Sequence, residues 1–239
     1  MKQGLILLLA AVATVGCSAP GQPSPNSQAV PPAKITDFNV LFQTNCAGCH
    51  GQDGKDGAAV PIGDPVYLAI ADDATIRRVV TNGVPGTAMP AFARSEGGML
   101  MSAQVDAIVD GIRTRWGKPD ALSGENPPAY AAQPGDSSRG ANVYSVYCAS
   151  CHGAGGRGGS HASSIVDGSY LSLVSDQHLR TTVIVGMPGL GAPDWRGDVP
   201  GKPMSGQDVS DVVAWLAAQR PQDTNEALSN GKTTVGGTR

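Results

Sequence analysis

The stretch Cys46-Ala47-Gly48-Cys49-His50 recurs further along the chain as Cys148-Ala149-Ser150-Cys151-His152. Each is a C-x-x-C-H run, the pattern of covalent c-type haem attachment. The spacing carries the chemistry. Two thiols one helical turn apart can each form a thioether to an edge of the haem, and the adjoining imidazole then lies beneath the iron. A structural zinc site and a redox dithiol would use the same cysteines. A zinc ribbon, however, pairs its C-x-x-C elements within about 15–20 residues, whereas the two copies here begin at 46 and 148. A redox dithiol gives no reason for a histidine after both copies. Cys46, Cys49, Cys148 and Cys151 are therefore read as anchors of two covalent haems, with His50 and His152 as axial ligands.

The rest of the chain fits small, loop-rich units completed by a prosthetic group. Among 239 residues there are 32 glycines, aromatics make up only 5%, and the net charge is −3. Residues 34–118 carry eight basic and nine acidic side chains, and residues 136–221 carry six and seven. No segment offers the basic stripe that a nucleic acid would require. A domain of this size has a marginal core alone, which a buried macrocycle offsets. Of five cysteines only Cys17 is left over, and no disulfide can form without dismantling a haem motif.

Cys17 lies at the end of an apolar run. Lys2 and the stretch from Gly4 to Val15 have the charged and apolar regions of an export signal. That run falls short of the ~20 residues a bilayer anchor needs. Thr14-Val15-Gly16-Cys17 resembles a bacterial lipoprotein box, with Thr14 where leucine is usual, and would make Cys17 the lipidated first residue. Cleavage after Ala11-Val12-Ala13 is the competing reading. Both predict export. The expected organisation is a signal over 1–16, a lipidated flexible tether over 17–33, a first domain over 34–118, a Pro-rich linker over 119–137, a second domain over 138–221 and a disordered tail over 222–239.

The two domains are an internal repeat. Residues 76–92 align without gaps on 179–195, placing Ala192 where the first copy has Met89. Each copy then closes with an amphipathic helix. Val105, Ile108, Val109 and Ile112 fall at i, i+3, i+4 and i+7, as do Val209, Val212, Val213 and Leu216. Ser205 with Asp208 predicts a capping box, and Ser102 is the expected cap of the first closing helix.

The duplicated motifs and closing helices resemble two class I cytochrome c domains in tandem, which implies an all-α fold. In that family a helix before the haem motif crosses the last helix, and the sixth iron ligand is a methionine on a loop between them. The resemblance assigns that role to Met89, in Met89-Pro90. Ala192 cannot replace it, so the second iron has four protein candidates: Met187 before Pro188, Met204 (set against Met101), His161 and His178. An open site is the remaining possibility. Gly140 matches the family's helix-crossing glycine. It corresponds to Phe38 in the first domain, and Trp215, set against Ile112, suggests an exchange of large and small partners.

The function implied is that of an exported, lipid-anchored periplasmic dihaem electron carrier, without substrate chemistry of its own. Its expected partners are a terminal oxidase, a quinol-oxidising complex or a dehydrogenase. Alternatives are the electron-accepting subunit of a periplasmic dehydrogenase and, if the second iron is open, a peroxidase-like enzyme.

Overall fold

The computed structural model describes residues 29–197 and 199–221. The signal, Cys17, most of the tether and the tail lie outside the described residues. The described segment up to Lys34 carries one short turn, Pro32–Lys34. The chain from Ile35 onward forms its own compact unit.

That unit repeats one succession of five helices. The first copy runs α1 Phe38–Asn45, α2 Ala47–His50, α3 Pro65–Ile70, α4 Asp73–Asn82 and α5 Ser102–Trp116. The second runs α6 Ser137–Tyr147, α7 Ala149–His152, α8 Gly168–Leu173, α9 Asp176–Val185 and α10 Gly206–Ala217. Among the described residues there is no strand, only the isolated bridges Ala93–Leu100 and Met187–Ala192. The fold is all-α.

Local chemistry explains the starts and stops. Asp37, Asp64 and Asp72 cap α1, α3 and α4, and Asp136, Asp167 and Ser175 cap α6, α8 and α9, each accepting from a first-turn N–H. α4 and α9 both end at a glycine of positive φ, Gly83 at 65° and Gly186 at 72°. A Cβ there would meet Ala91 N at 2.5 Å in the first copy and Pro193 O at 2.5 Å in the second. The gapless alignment is thus real in three dimensions: both loops leave their helix the same way.

The closing helices bury the predicted stripes. Ile108, Val109, Val209 and Val212 are fully enclosed, beside Phe42, Leu171 and Ile184. Ser205 and Asp208 form the expected capping box. Ser102 does not cap α5. Met101 occupies the cap position and its N–H donates to Gln104 Oε1 at 3.0 Å, the half of a capping box in which the third helical residue reaches back to the cap's own N–H. This also shifts the pairing of Met204, which aligns with Leu100 rather than Met101. The N–H of Leu100 donates to Phe92 O and that of Met204 to Trp195 O, both at 2.8 Å.

The helix crossing is likewise displaced by one residue from expectation. In the first copy Phe38 meets Gly111, not Ile112; in the second Trp215 meets Gly140. A Cβ on Gly111 would fall 2.1 Å from Phe38 Cδ2, and one on Gly140 would fall 2.0 Å from Asp211 O and 2.7 Å from Trp215 Cβ. The exchange of large and small partners is therefore complete, with glycine on opposite helices in the two copies.

The two copies touch each other. α3 packs on α9. Ala88, beside Met89, donates its N–H to Leu173 O at 3.3 Å, and Asp56 lies against Gly189. The connecting chain is strapped to the second copy by Arg180, whose guanidinium donates to Ala129 O at 2.8 Å and to Ser210 Oγ at 3.0 Å.

Candidate haem-binding sites

Both motifs fold the same way. The helix preceding each ends at the first cysteine, and the remaining four residues form a single turn, α2 or α7. His50 N–H donates to Cys46 O and His152 N–H to Cys148 O, both at 3.0 Å, so the histidine follows the first thiol by one turn. Gly51 and Gly153 then reverse the chain at φ 80° and 72°. A Cβ at Gly51 would lie 1.5 Å from Lys55 O, so only glycine fits that turn.

Backbone carbonyls ten or eleven residues further along the chain orient the imidazoles. His50 Nδ1 lies 2.8 Å from Val60 O and His152 Nδ1 lies 3.0 Å from Ser163 O. A carbonyl can only accept, so each Nδ1 carries a proton, and Nε2 is the nitrogen left to meet a metal. Burial holds His50 below the ordinary imidazole pKa, against the opposing pull of the Val60 carbonyl. It is thus kept neutral, the form that ligates.

The thiols are unpaired. Burial, with its motif partner Cys49 adding to it, pushes Cys46 up to about 12; burial and Cys151 push Cys148 up to about 11. Among the described residues no three His, Cys, Asp or Glu side chains gather as a metal-binding cluster. The thiols and imidazole of each motif are thus not joined by the fourth ligand that a zinc site needs. The donor set fits a haem: two free thiols and an imidazole whose Nδ1 is held by a backbone carbonyl. The helix crossing beside each motif is braced by aromatic contacts, Phe42 on Trp116 at 4.9 Å between ring centres and Tyr144 stacked on Trp215 at 4.4 Å.

The loop bearing Met89 is stapled. Val84 N–H donates to Met89 O at 2.9 Å, Thr87 Oγ1 donates to Val84 O at 2.8 Å, and Met89 N–H donates to Thr87 Oγ1 at 3.2 Å. Sequence reasoning missed Thr87, although a threonine two residues before a methionine in a Gly-containing turn is a usable signal. Met89 is half-buried.

The candidates for the second iron separate. Met187 is half-buried and Met204 is only 6% exposed within the core. His161 is exposed. His178 lies beside His50 of the first copy, and burial with that neighbour pushes it down to about 4. An open cleft of about 720 Å³ runs between the copies and is bordered by Val66, Lys118, Val185, Pro188 and Ala192. None of the motif cysteines lines it.

Helical copies that each present two free thiols and a histidine oriented by a backbone carbonyl define a c-type cytochrome. The chain belongs to the family described as cytochrome c oxidase, cbb3-type, subunit III, which matches residues 33–110 and again 135–216. Its tandem cytochrome c domains are therefore shown by sequence as well as by fold. It is 25% identical over 226 residues to the cytochrome bc1 complex cytochrome c subunit of Mycobacterium tuberculosis, covering 90% of this chain and 75% of that one. It is 33% identical over 123 residues to the cbb3-type cytochrome c oxidase subunit CcoP of an Azospirillum species, covering 47% of this chain and 37% of that one. Among solved structures, a chain of the Kuenenia stuttgartiensis reducing HAO-like protein complex overlays 81% of this chain at 16% identity and a TM-score of 0.42.

Proposed function

We propose that this protein is an exported, membrane-tethered dihaem electron carrier of a bacterial respiratory chain. The observation that carries the reading is the duplicated C-x-x-C-H turn in which His50 and His152 each give Nδ1–H to a backbone carbonyl. A haem c bound at each motif supplies reversible one-electron exchange between ferric and ferrous iron. The chain's own part is to hold that group still. Cys46 and Cys49 anchor the first haem and Cys148 and Cys151 the second. His50 and His152 would each supply an imidazole nitrogen to an iron, and Met89 would supply a thioether to the first. A thioether favours ferrous iron and raises the potential relative to a second nitrogen.

The reading of its partners rests on the relatives, one named as the cytochrome c subunit of a bc1 complex and the other as subunit CcoP of a cbb3-type cytochrome c oxidase. A quinol-oxidising complex as donor and a terminal oxidase as acceptor are the partners this supports. Cys17 would carry the lipid, and the Pro- and Ser-rich segment after it would set the reach of the domains along the periplasmic face of the membrane.

The test is direct. Full-length protein matured in a host competent for c-haem attachment should gain two haem masses that survive acid–acetone extraction. Cys17→Ser should move it from the membrane to the soluble periplasmic fraction. One haem or none overturns the dihaem reading, and unchanged membrane attachment of Cys17→Ser overturns the lipid anchor.

A further inference from the structure

We infer that Met187 is the sixth ligand of the second haem iron, reaching it from the opposite arm of the loop that carries the ligand in the first domain. The inference rests on the dihaem reading above. It starts from a register that the structure fixes. Gly83 and Gly186 end equivalent helices, so Val84 is the counterpart of Met187 and Met89 the counterpart of Ala192. In both copies a backbone bond joins the two counterparts. Val84 N–H donates to Met89 O at 2.9 Å; Met187 N–H donates to Ala192 O at 3.0 Å and Ala192 N–H returns to Met187 O at 3.2 Å.

The second pair is an antiparallel bridge closed by Pro188–Leu190 and by Gly191 at φ 78°. Residues directly opposed in such a bridge send their side chains to the same face, with Cβ atoms roughly 5 Å apart. A methionine on one arm therefore commands the space that a methionine on the other arm would fill. Its unbranched thioether adapts to the offset better than any other apolar side chain. The first domain pairs a ligating Met89 with an apolar Val84. The second pairs Met187 with Ala192, the smallest side chain that leaves the facing position clear. The ligand has crossed the turn.

The other candidates are committed elsewhere. Met204 fills the core position of Leu100, with the same backbone bond to the preceding aromatic residue. His178 stands in the first turn of α9, the helix that packs on α3 of the other domain, and His161 sits exposed in its loop. Met187 is half-buried, as Met89 is.

The experiment uses the full-length dihaem protein. Pyridine haemochrome counts haems first, and fewer than two per chain would overturn the dihaem reading whatever Met187 does. With two haems present, the ferric protein should show the weak methionine-to-iron charge-transfer band at twice the intensity per chain of its Met89→Ala variant. Met187→Ala should halve that band and create one site per chain that binds carbon monoxide rapidly in the reduced state. Met204→Leu, which copies Leu100, should change neither. The variant Met187→Val/Ala192→Met recreates the Val84–Met89 arrangement and should restore the full band and remove rapid carbon monoxide binding. A full band in Met187→Ala, a halved band in Met204→Leu, or rapid binding of one carbon monoxide by the unaltered protein would each overturn the assignment.

Discussion

Phe38 lies on Gly111 so closely that a Cβ there would sit 2.1 Å from its ring, and in the second domain Trp215 lies on Gly140 with the glycine on the other helix. The helix crossing that frames each haem motif thus tolerates one bulky side chain, and it does not matter which helix supplies it. What matters is that the partner has none. Conserved total volume with exchanged positions is the substitution that packed cores accept best.

The two glycines should nevertheless respond differently to a methyl group. At Gly140 the new Cβ meets a backbone oxygen of α10, Asp211 O at 2.0 Å, which cannot move without the helix. At Gly111 it meets a side-chain ring, which can turn aside. Gly140→Ala should cost about 2–3 kcal/mol and Gly111→Ala less, by urea unfolding. Phe38→Leu should recover part of the loss in Gly111→Ala. Equal costs at the two sites would refute the distinction.

Asp211 secures the same crossing by charge. It accepts from Arg139 Nε at 2.7 Å, from Asp136 N–H at 2.7 Å and from Gln207 Nε2 at 2.8 Å, and the Arg139 bonds chiefly hold its pKa down to about 2. A carboxylate whose folded pKa is depressed from 3.8 stabilises the fold above that value, and the contribution fades as pH falls through 2. Unfolding free energy should therefore drop between about pH 4 and about pH 2. Asp211→Asn should flatten that part of the profile while lowering stability at neutral pH by roughly 2 kcal/mol. A variant with the same acid slope as the parent protein would exclude Asp211 as its source.

Much of this was legible because short-range chemistry sets it. The C-x-x-C-H turns, the amphipathic stripes over Val105–Ile112 and Val209–Leu216 and the Ser205–Asp208 box each depend on spacing within a few residues. Register across the repeat was harder. Phe92 and Leu100 are eight apart, whereas Trp195 and Met204 are nine apart, so the loops align with one offset and the closing helices with another. That single extra residue misplaced Met204 against Met101 and Trp215 against Ile112. The carbonyls of Val60 and Ser163 left no sequence signal at all, because any residue carries a carbonyl and only the fold aims it.

Arg180 and Arg77 occupy equivalent positions with unequal surroundings. Arg180 is 1% exposed and spans Ala129 O, Tyr130 O and Ser210 Oγ, while Arg77 pairs at the surface with Asp106. Arg180→Met keeps the apolar stem but leaves the carbonyl of Ala129 and the Ser210 hydroxyl short of a donor. It should cost roughly 2–4 kcal/mol and open residues 119–137 to proteolysis. Arg180→Lys should recover only part, since an ammonium cannot span the same fork of acceptors. Arg77→Met should stay within about 1 kcal/mol of the parent protein, as exposed pairs do. Rapid linker cleavage without loss of stability would show that the strap and the core are independent.

Thr87 ties the first ligand loop to itself, donating to Val84 O and accepting from Met89 N–H. Thr87→Val keeps the volume and removes both bonds. The backbone N–H of Met89 then loses its acceptor, and the loop keeps the backbone bonds from Thr87 N–H to Val84 O and from Val84 N–H to Met89 O, with the Ala88–Leu173 contact. Each lost bond is worth about 1 kcal/mol, so opening of the loop should become roughly five-fold to thirty-fold more frequent. With Met89 as the proposed ligand, an external ligand would reach the iron only after Met89 has left it, so cyanide binding to the first haem should accelerate by the same factor. The methionine charge-transfer band should keep its intensity, since the closed state remains dominant. Thr87→Ser retains the hydroxyl and should bind cyanide at close to the parent rate. Acceleration in Thr87→Ser as large as in Thr87→Val would assign the effect to the lost methyl group instead of the hydrogen bonds.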